Sequence, residues 1–218
     1  YFDRIMRPEQ IMDALPRALA TMLDPACCGP ATLALCQDVQ AEAFDYPVAF
    51  FERRLWRERR QPADADELTA LVDAIAAARR PLIVAGGGVR YSQAESALAA
   101  LAESTGIPVA ETQAGKGALS WRHPCALGSI GVTGSSAANQ AAQEADLVIG
   151  IGTRLQDFTT GSPRLVADRK LFHVNGQALH AHKHGAWPVV GDARVVIEAL
   201  AARLQGACVT EDVIARDR

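Results

Sequence analysis

Five residues in three glycine-bearing stretches have the types and spacing to meet an anionic ligand. Gly86, Gly87 and Gly88 follow an apolar run in IVAGGGV, Lys116 stands between glycines in AGKGA, and Arg154 follows a second apolar run in GTRLQDFTTG. Consecutive glycines let the backbone turn tightly and come close to a ligand with no Cβ in the way. Lysine brings a mobile point charge, and arginine a planar fork that matches phosphate. The triple glycine meets only the first half of the dinucleotide pattern GxGxxG. Tyr91 occupies the third glycine's place, and Glu111 stands where an acid would hold a ribose. The stretch therefore reads as a tight turn with open backbone donors, not as the whole fingerprint. Lys116 lacks the GxxxxGK[ST] frame of a phosphate-binding loop and reads either as an anion contact or as a solvated lysine. Arg154 has two uses of equal weight: a ligand phosphate, or an ion pair with Asp157 or Glu111 that fixes the loop.

Other groupings are less telling. HAHKH places His180, His182 and His184 at alternate positions. Zinc wants a closed set of such ligands with a carboxylate or a fourth histidine, and surface histidines are the plainer account. Ser135 in TGSS and Ser162 in GSPR lack the GxSxG frame of an activated serine. The arginines of FFERRLWRERR are interrupted by Glu52 and Glu58, as on a solvated face.

The elements that must position these residues alternate. Ile11, Leu15, Leu19 and Met22 give helical spacing over 8–22, with Pro16 inside the pattern. TLALCQDV, 32–39, reads as one buried strand. One helix and one strand make no domain, since each needs a partner for its apolar face. Residues 45–65 read as a linker. From Asp66 the pattern is regular, with Asp64 or Asp66 capping a helix that carries Leu68, Leu71, Val72 and Ile75. LIVA, IPVAE, DLVIGIG, KLFHVN and WPVVGD read as strands, separated by helices over 93–104, in an alanine-rich stretch after Ser135, and over 193–205. This alternation predicts an α/β fold, a parallel sheet with helices on both faces and Rossmann-like winding. Ligands of such sheets sit beyond the carboxyl ends of the strands. There the loops 86–90, 113–117 and 152–161 collect.

The bulk properties bound the rest. The chain has 218 residues, 49% of them hydrophobic, and a net charge of −3, so nothing favours nucleic acid or an anionic membrane surface. Five cysteines without a CxxC fit a reduced, cytoplasmic protein. No apolar run approaches the roughly 18 residues of a membrane-spanning helix. The chain opens on YFDR and ends on the helical-looking TEDVIARDR, which suggests a piece of a longer protein.

The combination PVAET, GKGA, HP, LG, the glycine at 134, AD at 145–146 and GTR at 152–154 resembles the middle domain of thiamine-diphosphate-dependent enzymes of the acetolactate-synthase-like group. That resemblance covers residues 66–206. GPATLALCQDVQAEAFDYP resembles the last strand and exit of the family's pyrimidine-binding domain, making 1–44 its remnant, 45–65 a linker and 207–218 the start of a second linker. QDVQAEAFDYP, FFERRLWRERRQPAD, GSIGVTGSSAANQ and GTRLQDFTTGS resemble more narrowly the hydrolases of inositol catabolism that open a trihydroxylated cyclic 1,2-dione to 5-deoxy-glucuronate. The resemblance implies a small-molecule substrate, thiamine diphosphate with Mg2+, and a homo-oligomeric full-length enzyme. The cofactor's thiazolium takes up the electrons of a breaking C–C bond, and water completes the hydrolysis. The family's activating glutamate and its GDG…N diphosphate–magnesium segment are not in these 218 residues, so no catalytic residue is assigned here and the chain alone should be inactive. Some relatives bind FAD through loops matching Gly86, Gly87, Gly88, Lys116 and Arg154. FHVNGQALH, however, puts Asn175 and Gln177 where acids would hold the adenosine half, which argues against FAD.

Overall fold

The computed structural model describes residues 1–26, 28–161 and 165–204. Ser162, the TEDVIARDR segment and the 207–218 linker fall outside the described residues. The chain divides into two compact units, Tyr1–Arg59 and a second beginning at Arg60.

In the first unit, β1 (Phe2–Ile5) and β2 (Thr32–Leu35) pair in parallel, joined through α1 (Ile11–Leu23). Gln10 fastens the entry to the helix, its Oε1 accepting the Met6 and Arg7 N–H groups at 2.6 and 3.0 Å. Pro16 lies within α1 and does not end it. The core is small: Ile5, Ala14 and Val39, with Ile11, Leu33 and Cys36 against them. TLALCQDV is therefore not one buried strand. It ends at Leu35, which is half exposed, and Val39 belongs to a 3-10 turn. A two-stranded sheet with a single helix does not cover both faces of either strand.

The second unit carries six parallel strands: β3 (Pro81–Ala85), β4 (Val109–Glu111), β5 (Ala126–Ser129), β6 (Leu147–Ile151), β7 (Lys170–Asn175) and β8 (Trp187–Val190). Their order is β5-β4-β3-β6-β7-β8. Side chains alternate between faces, and the core splits accordingly. Ile83, Ala85, Leu147, Ile149, Ile151, Phe172 and Val174 face one layer, and Leu82, Val84, Val148 and Leu171 the other. Leu71 and Ile75 of α2 (Ala65–Ala77), Leu98 and Leu101 of α4 (Glu95–Thr105), and Val196, Ile197 and Leu200 of α8 (Ala193–Arg203) cover the first. Ala138 and Ala142 of α5 (Ser136–Glu144) cover the second. Asp64 is the N-cap of α2, accepting the Asp66 N–H at 2.8 Å. Ser135 caps α5 and Asp192 caps α8.

Short pieces interrupt the expected loops. α3 (Gly87–Tyr91), α6 (Asp157–Thr160) and α7 (Ala178–Ala181) each span one turn or little more. β5 is an edge strand inside the glycine-rich loop, joined to β4 across a register shift.

Candidate functional site

Strand order reverses at β3, with β4 on one side and β6 on the other, so the crevice outside their carboxyl ends is where a ligand of this fold sits. Glycines hold the loops of that crevice together. A Cβ on Gly86 would lie 2.4 Å from the Gly152 carbonyl oxygen, one on Gly88 2.6 Å from the Gly152 Cα, and one on Gly115 2.2 Å from the Ala85 oxygen. The backbones of residues 86–88, 115 and 152 are therefore in direct contact. The Gly86 N–H donates to Ile151 O and the Gly88 N–H to Gly152 O, both at 2.8 Å. Those two donors are not open to a phosphate. The turn is tight as expected, but its amides fasten one loop to the next. α3 spans only five residues, and Tyr91 at its end is exposed, so no close helix–strand packing occurs where the third glycine would stand.

Lys116 projects into solvent, while its carbonyl accepts Arg90 Nη1 at 2.7 Å. Arg90, which the sequence did not mark out, thus grips the AGKGA turn. Glu111 is not placed to bind a ribose. It is buried, and its Oε1 accepts the Leu119 N–H at 2.9 Å, tying down the far end of the same loop.

Arg154 is exposed, and among the described residues it pairs with neither Asp157 nor Glu111. Its loop is held by backbone carbonyls instead. Thr153 O accepts His173 Nε2 and Asn175 Nδ2, each at 2.8 Å; Arg154 O accepts Lys183 Nζ at 3.2 Å; Leu155 O accepts His184 Nε2 at 2.8 Å. Leu155, at φ 44° with a buried side chain, is a left-handed non-glycine residue that this clasp keeps in place. Part of HAHKH therefore serves the loop rather than a metal. Among the described residues no three His, Cys, Asp or Glu side chains come together as a metal set.

His173 is the buried member of the clasp and was missed in the sequence, although a histidine inside LFHVN is a legible oddity. Burial lowers its pKa to about 4, opposed by the hydrogen bond to the Thr153 carbonyl. The folded protein thus holds the ring neutral, while the unfolded chain takes up a proton below its ordinary value near 6.5. The resulting stabilisation is complete above that value and is lost as pH falls toward 4. It amounts to about 3 kcal/mol. Urea midpoints measured across this window should fall with acid, and the fall should be much shallower in His173→Gln. An equal slope in the variant would assign the effect elsewhere.

The residues present do not fit FAD or a diphosphate–magnesium centre. The Asn175 amide is spent on Thr153 O and, through Oδ1, on the Gln177 N–H, so it offers no acceptor pair to a ribose. In GDA at 191–193, Asp192 accepts the Arg194 and Val195 N–H groups, the Ser92 hydroxyl and Arg60 Nη1. Its carboxylate is fully committed within the fold.

The arrangement agrees with a family model. Residues 68–200 match the thiamine pyrophosphate enzyme central domain. The chain belongs to this family. The central-domain family accounts for the doubly covered parallel sheet. Among its relatives, a 3D-(3,5/4)-trihydroxycyclohexane-1,2-dione hydrolase from Halalkalibacterium halodurans is 49% identical over 209 residues, covering 94% of this chain and 33% of that protein. One from Geobacillus thermodenitrificans is 48% identical over 205 residues, covering 94% and 32%. The chain thus spans about a third of the length of the curated relatives it matches. A solved structure described as a thiamin diphosphate-dependent enzyme from Mycobacterium smegmatis superposes with a TM-score of 0.73 at 21% identity, over 97% of this chain and 40% of that one. Benzoylformate decarboxylase from Polynucleobacter necessarius gives 0.69 at 24%, over 91% and 38%. These two likenesses show the fold. No helix among the described residues is long and apolar enough to cross a membrane.

Proposed function

We propose that this chain is the central part of a thiamine-diphosphate-dependent hydrolase that opens a trihydroxylated cyclic 1,2-dione. One observation carries the reading. Identity near one half runs over 209 residues, well beyond the central-domain span, and so includes the first unit. A domain shared only for its fold would not keep that identity through a linker. Residues 1–44 then belong to the preceding pyrimidine-binding domain, and the activating glutamate and the magnesium–diphosphate segment to other parts of the longer protein.

Within this chain the role is positional. Gly86, Gly87 and Gly88 build the junction of the strand-end loops. Lys116 and Arg154, each exposed and each on a loop gripped by another cation, are the residues that can meet an anionic group. The domain works without FAD. The longer protein is a homo-oligomer that uses thiamine diphosphate and Mg2+.

The decisive measurement supplies the longer protein with thiamine diphosphate and Mg2+ and compares loss of the cyclic dione with consumption of pyruvate. Ring opening without pyruvate loss is expected. Pyruvate consumption would instead assign an acetolactate-synthase-like carboligase. The 218-residue chain by itself should give no product under the same conditions, and turnover by it would sink the assignment of catalysis to other segments. The purified longer protein should also lack flavin absorbance; stoichiometric FAD would overturn that part.

A further inference from the structure

We propose that Asn175–Gly176 is a self-modification site. When the clasp on the Thr153–Leu155 loop opens, the Asn175 side chain cyclises onto the Gly176 nitrogen and loses ammonia, and the carboxylate left behind keeps the clasp from closing again. The inference is independent of the thiamine chemistry.

The chain has two asparagines, Asn139 and Asn175, and only the second precedes a glycine. Glycine has no Cβ to keep its nitrogen away from the side-chain carbonyl carbon of the residue before it. Asn175 ends β7 and is half-buried, so water reaches it. Its Oδ1 accepts the Gln177 N–H at 3.0 Å, an Asx turn that folds the side chain over the Gly176 peptide. Among the described residues the Gly176 N–H has no hydrogen-bond partner, so the nucleophile is free. One bond restrains the amide: Nδ2 donates to Thr153 O at 2.8 Å. The loop beyond that carbonyl is held in turn by His173, Lys183 and His184. Asn139 is the contrast. Both its amide atoms are bound to Gly131 at 2.9 Å, and Gln140 after it lies inside α5.

The chemistry needs only water. The Gly176 nitrogen gives up its proton and bonds to Cγ of Asn175. The Cγ–Nδ2 bond breaks, and Nδ2 leaves as ammonia with that proton. Water then opens the cyclic imide at one of its two carbonyls. One opening gives aspartate; the other gives isoaspartate, in which the side-chain carbon has joined the main chain. Either product lacks the Nδ2 donor. In aspartate a carboxylate oxygen faces Thr153 O where a hydrogen bond stood, two acceptors with no proton between them. In isoaspartate the carbonyl that accepts the Gly191 N–H at 3.0 Å becomes a free carboxylate, and the lengthened main chain displaces Gln177, the N-cap of α7. The closed clasp therefore delays the reaction, and the product abolishes the clasp. Local opening of this kind is the step that sets the pace. The loop it frees is the one that carries Arg154.

The test incubates the full chain in warm, mildly alkaline buffer and follows aspartate and isoaspartate at both asparagines by peptide mass spectrometry. Conversion is expected at Asn175 and not at Asn139. His184→Ala removes the bond to Leu155 O and should quicken conversion about fivefold, the scale of one neutral hydrogen bond. Gly176→Ala should slow it severalfold; Gly176 is not among the left-handed glycines, so alanine takes its conformation without strain. Asn175→Asp stands in for the aspartate product without any incubation. In it, amide exchange over residues 152–157 should quicken about tenfold, the scale of a lost bond at a charged group. Thermal melts of each variant show whether the fold is kept. The site is disproved if Asn175 stays intact, or if Asn139 converts as fast. A rate unchanged in a folded His184→Ala protein would remove the clasp as the restraint. Unchanged exchange in Asn175→Asp would show that the product leaves the loop closed.

Discussion

Gly86→Ala is expected to lower the free energy of unfolding by about 3 kcal/mol, the upper range for overpacking a closed site. The cause is steric, not conformational. Gly86 sits at φ −105° and ψ −174°, extended backbone that alanine adopts freely. Its new Cβ, however, would stand 2.4 Å from Gly152 O, 2.5 Å from Thr153 Cα and 2.7 Å from Gly152 C. All three are backbone atoms, so no side chain can rotate away. Gly152 cannot retreat easily either: it is left-handed at φ 61°, its N–H bonds Val174 O, and the following carbonyl is clasped by His173 and Asn175. Gly185→Ala is the contrast. There φ is 68° but nothing lies within 4 Å of the new Cβ, so only the left-handed conformation is penalised, by about 1 kcal/mol. Urea denaturation of both variants gives the comparison. A Gly86→Ala protein as stable as the parent would show that the three loops are not in contact. Alanine removes no amide donor, so the damage should appear in stability even with no ligand present.

Asp192→Ala should cost roughly 3–4 kcal/mol, the range for leaving a buried charge network without one partner. Four groups lose their acceptor at once: the Arg194 and Val195 amides at the start of α8, the buried Ser92 hydroxyl at 2.8 Å, and Arg60 at 3.1 Å. The Arg60 side chain keeps some contact with water, which softens the loss of its partner. Asp192→Asn retains Oδ1 for the cap, but an amide NH2 replaces the Oδ2 that serves Ser92 and Arg60, so a smaller drop of about 2 kcal/mol is expected. Thermal melts of the two variants separate the contributions; equal losses would mean that the cap counts for little. The network also secures the chain's entry into the second unit, since Asp192 N–H donates to Gln61 O at 2.8 Å and a Cβ on Gly191 would meet Ala63 N at 2.9 Å.

Legibility in the sequence followed burial. PLIVA, LVIGI and LFHV read as strands because a strand covered on both faces carries apolar residues almost without interruption, and these became β3, β6 and most of β7. The helix from Asp64 was readable from its cap and its spacing of leucines. β5 was not readable. ALGS has no apolar run and lies half buried at the sheet edge, recruited by pairing with β4. β1, FDRI, was hidden by its charged residues. α3, α6 and α7 are too short for any helical period to show. Of the residues that shape the candidate site, Gly86, Lys116 and Arg154 stood out by type. Asn175 stood out only as a replaced acid, and Arg90, His173 and Asp192 did not, because their partners are far away in the chain.

By itself the sequence determined the alternation of strands and helices, the family likeness and the three loops that must gather at one end of the sheet. These depend on local pattern: apolar period, caps and glycines. Only the tertiary structure decided what the glycine amides do. Gly86 and Gly88 donate to carbonyls some 65 residues further on, at Ile151 and Gly152, and no local pattern reveals such a partner. An N–H that looks open in the turn is spent once β6 lies beside β3. The same holds for Glu111, spent on the Leu119 N–H, and for His184 of HAHKH, engaged on Leu155 O. What remains exposed at that edge, Lys116 and Arg154, is therefore a result of packing as much as of residue type.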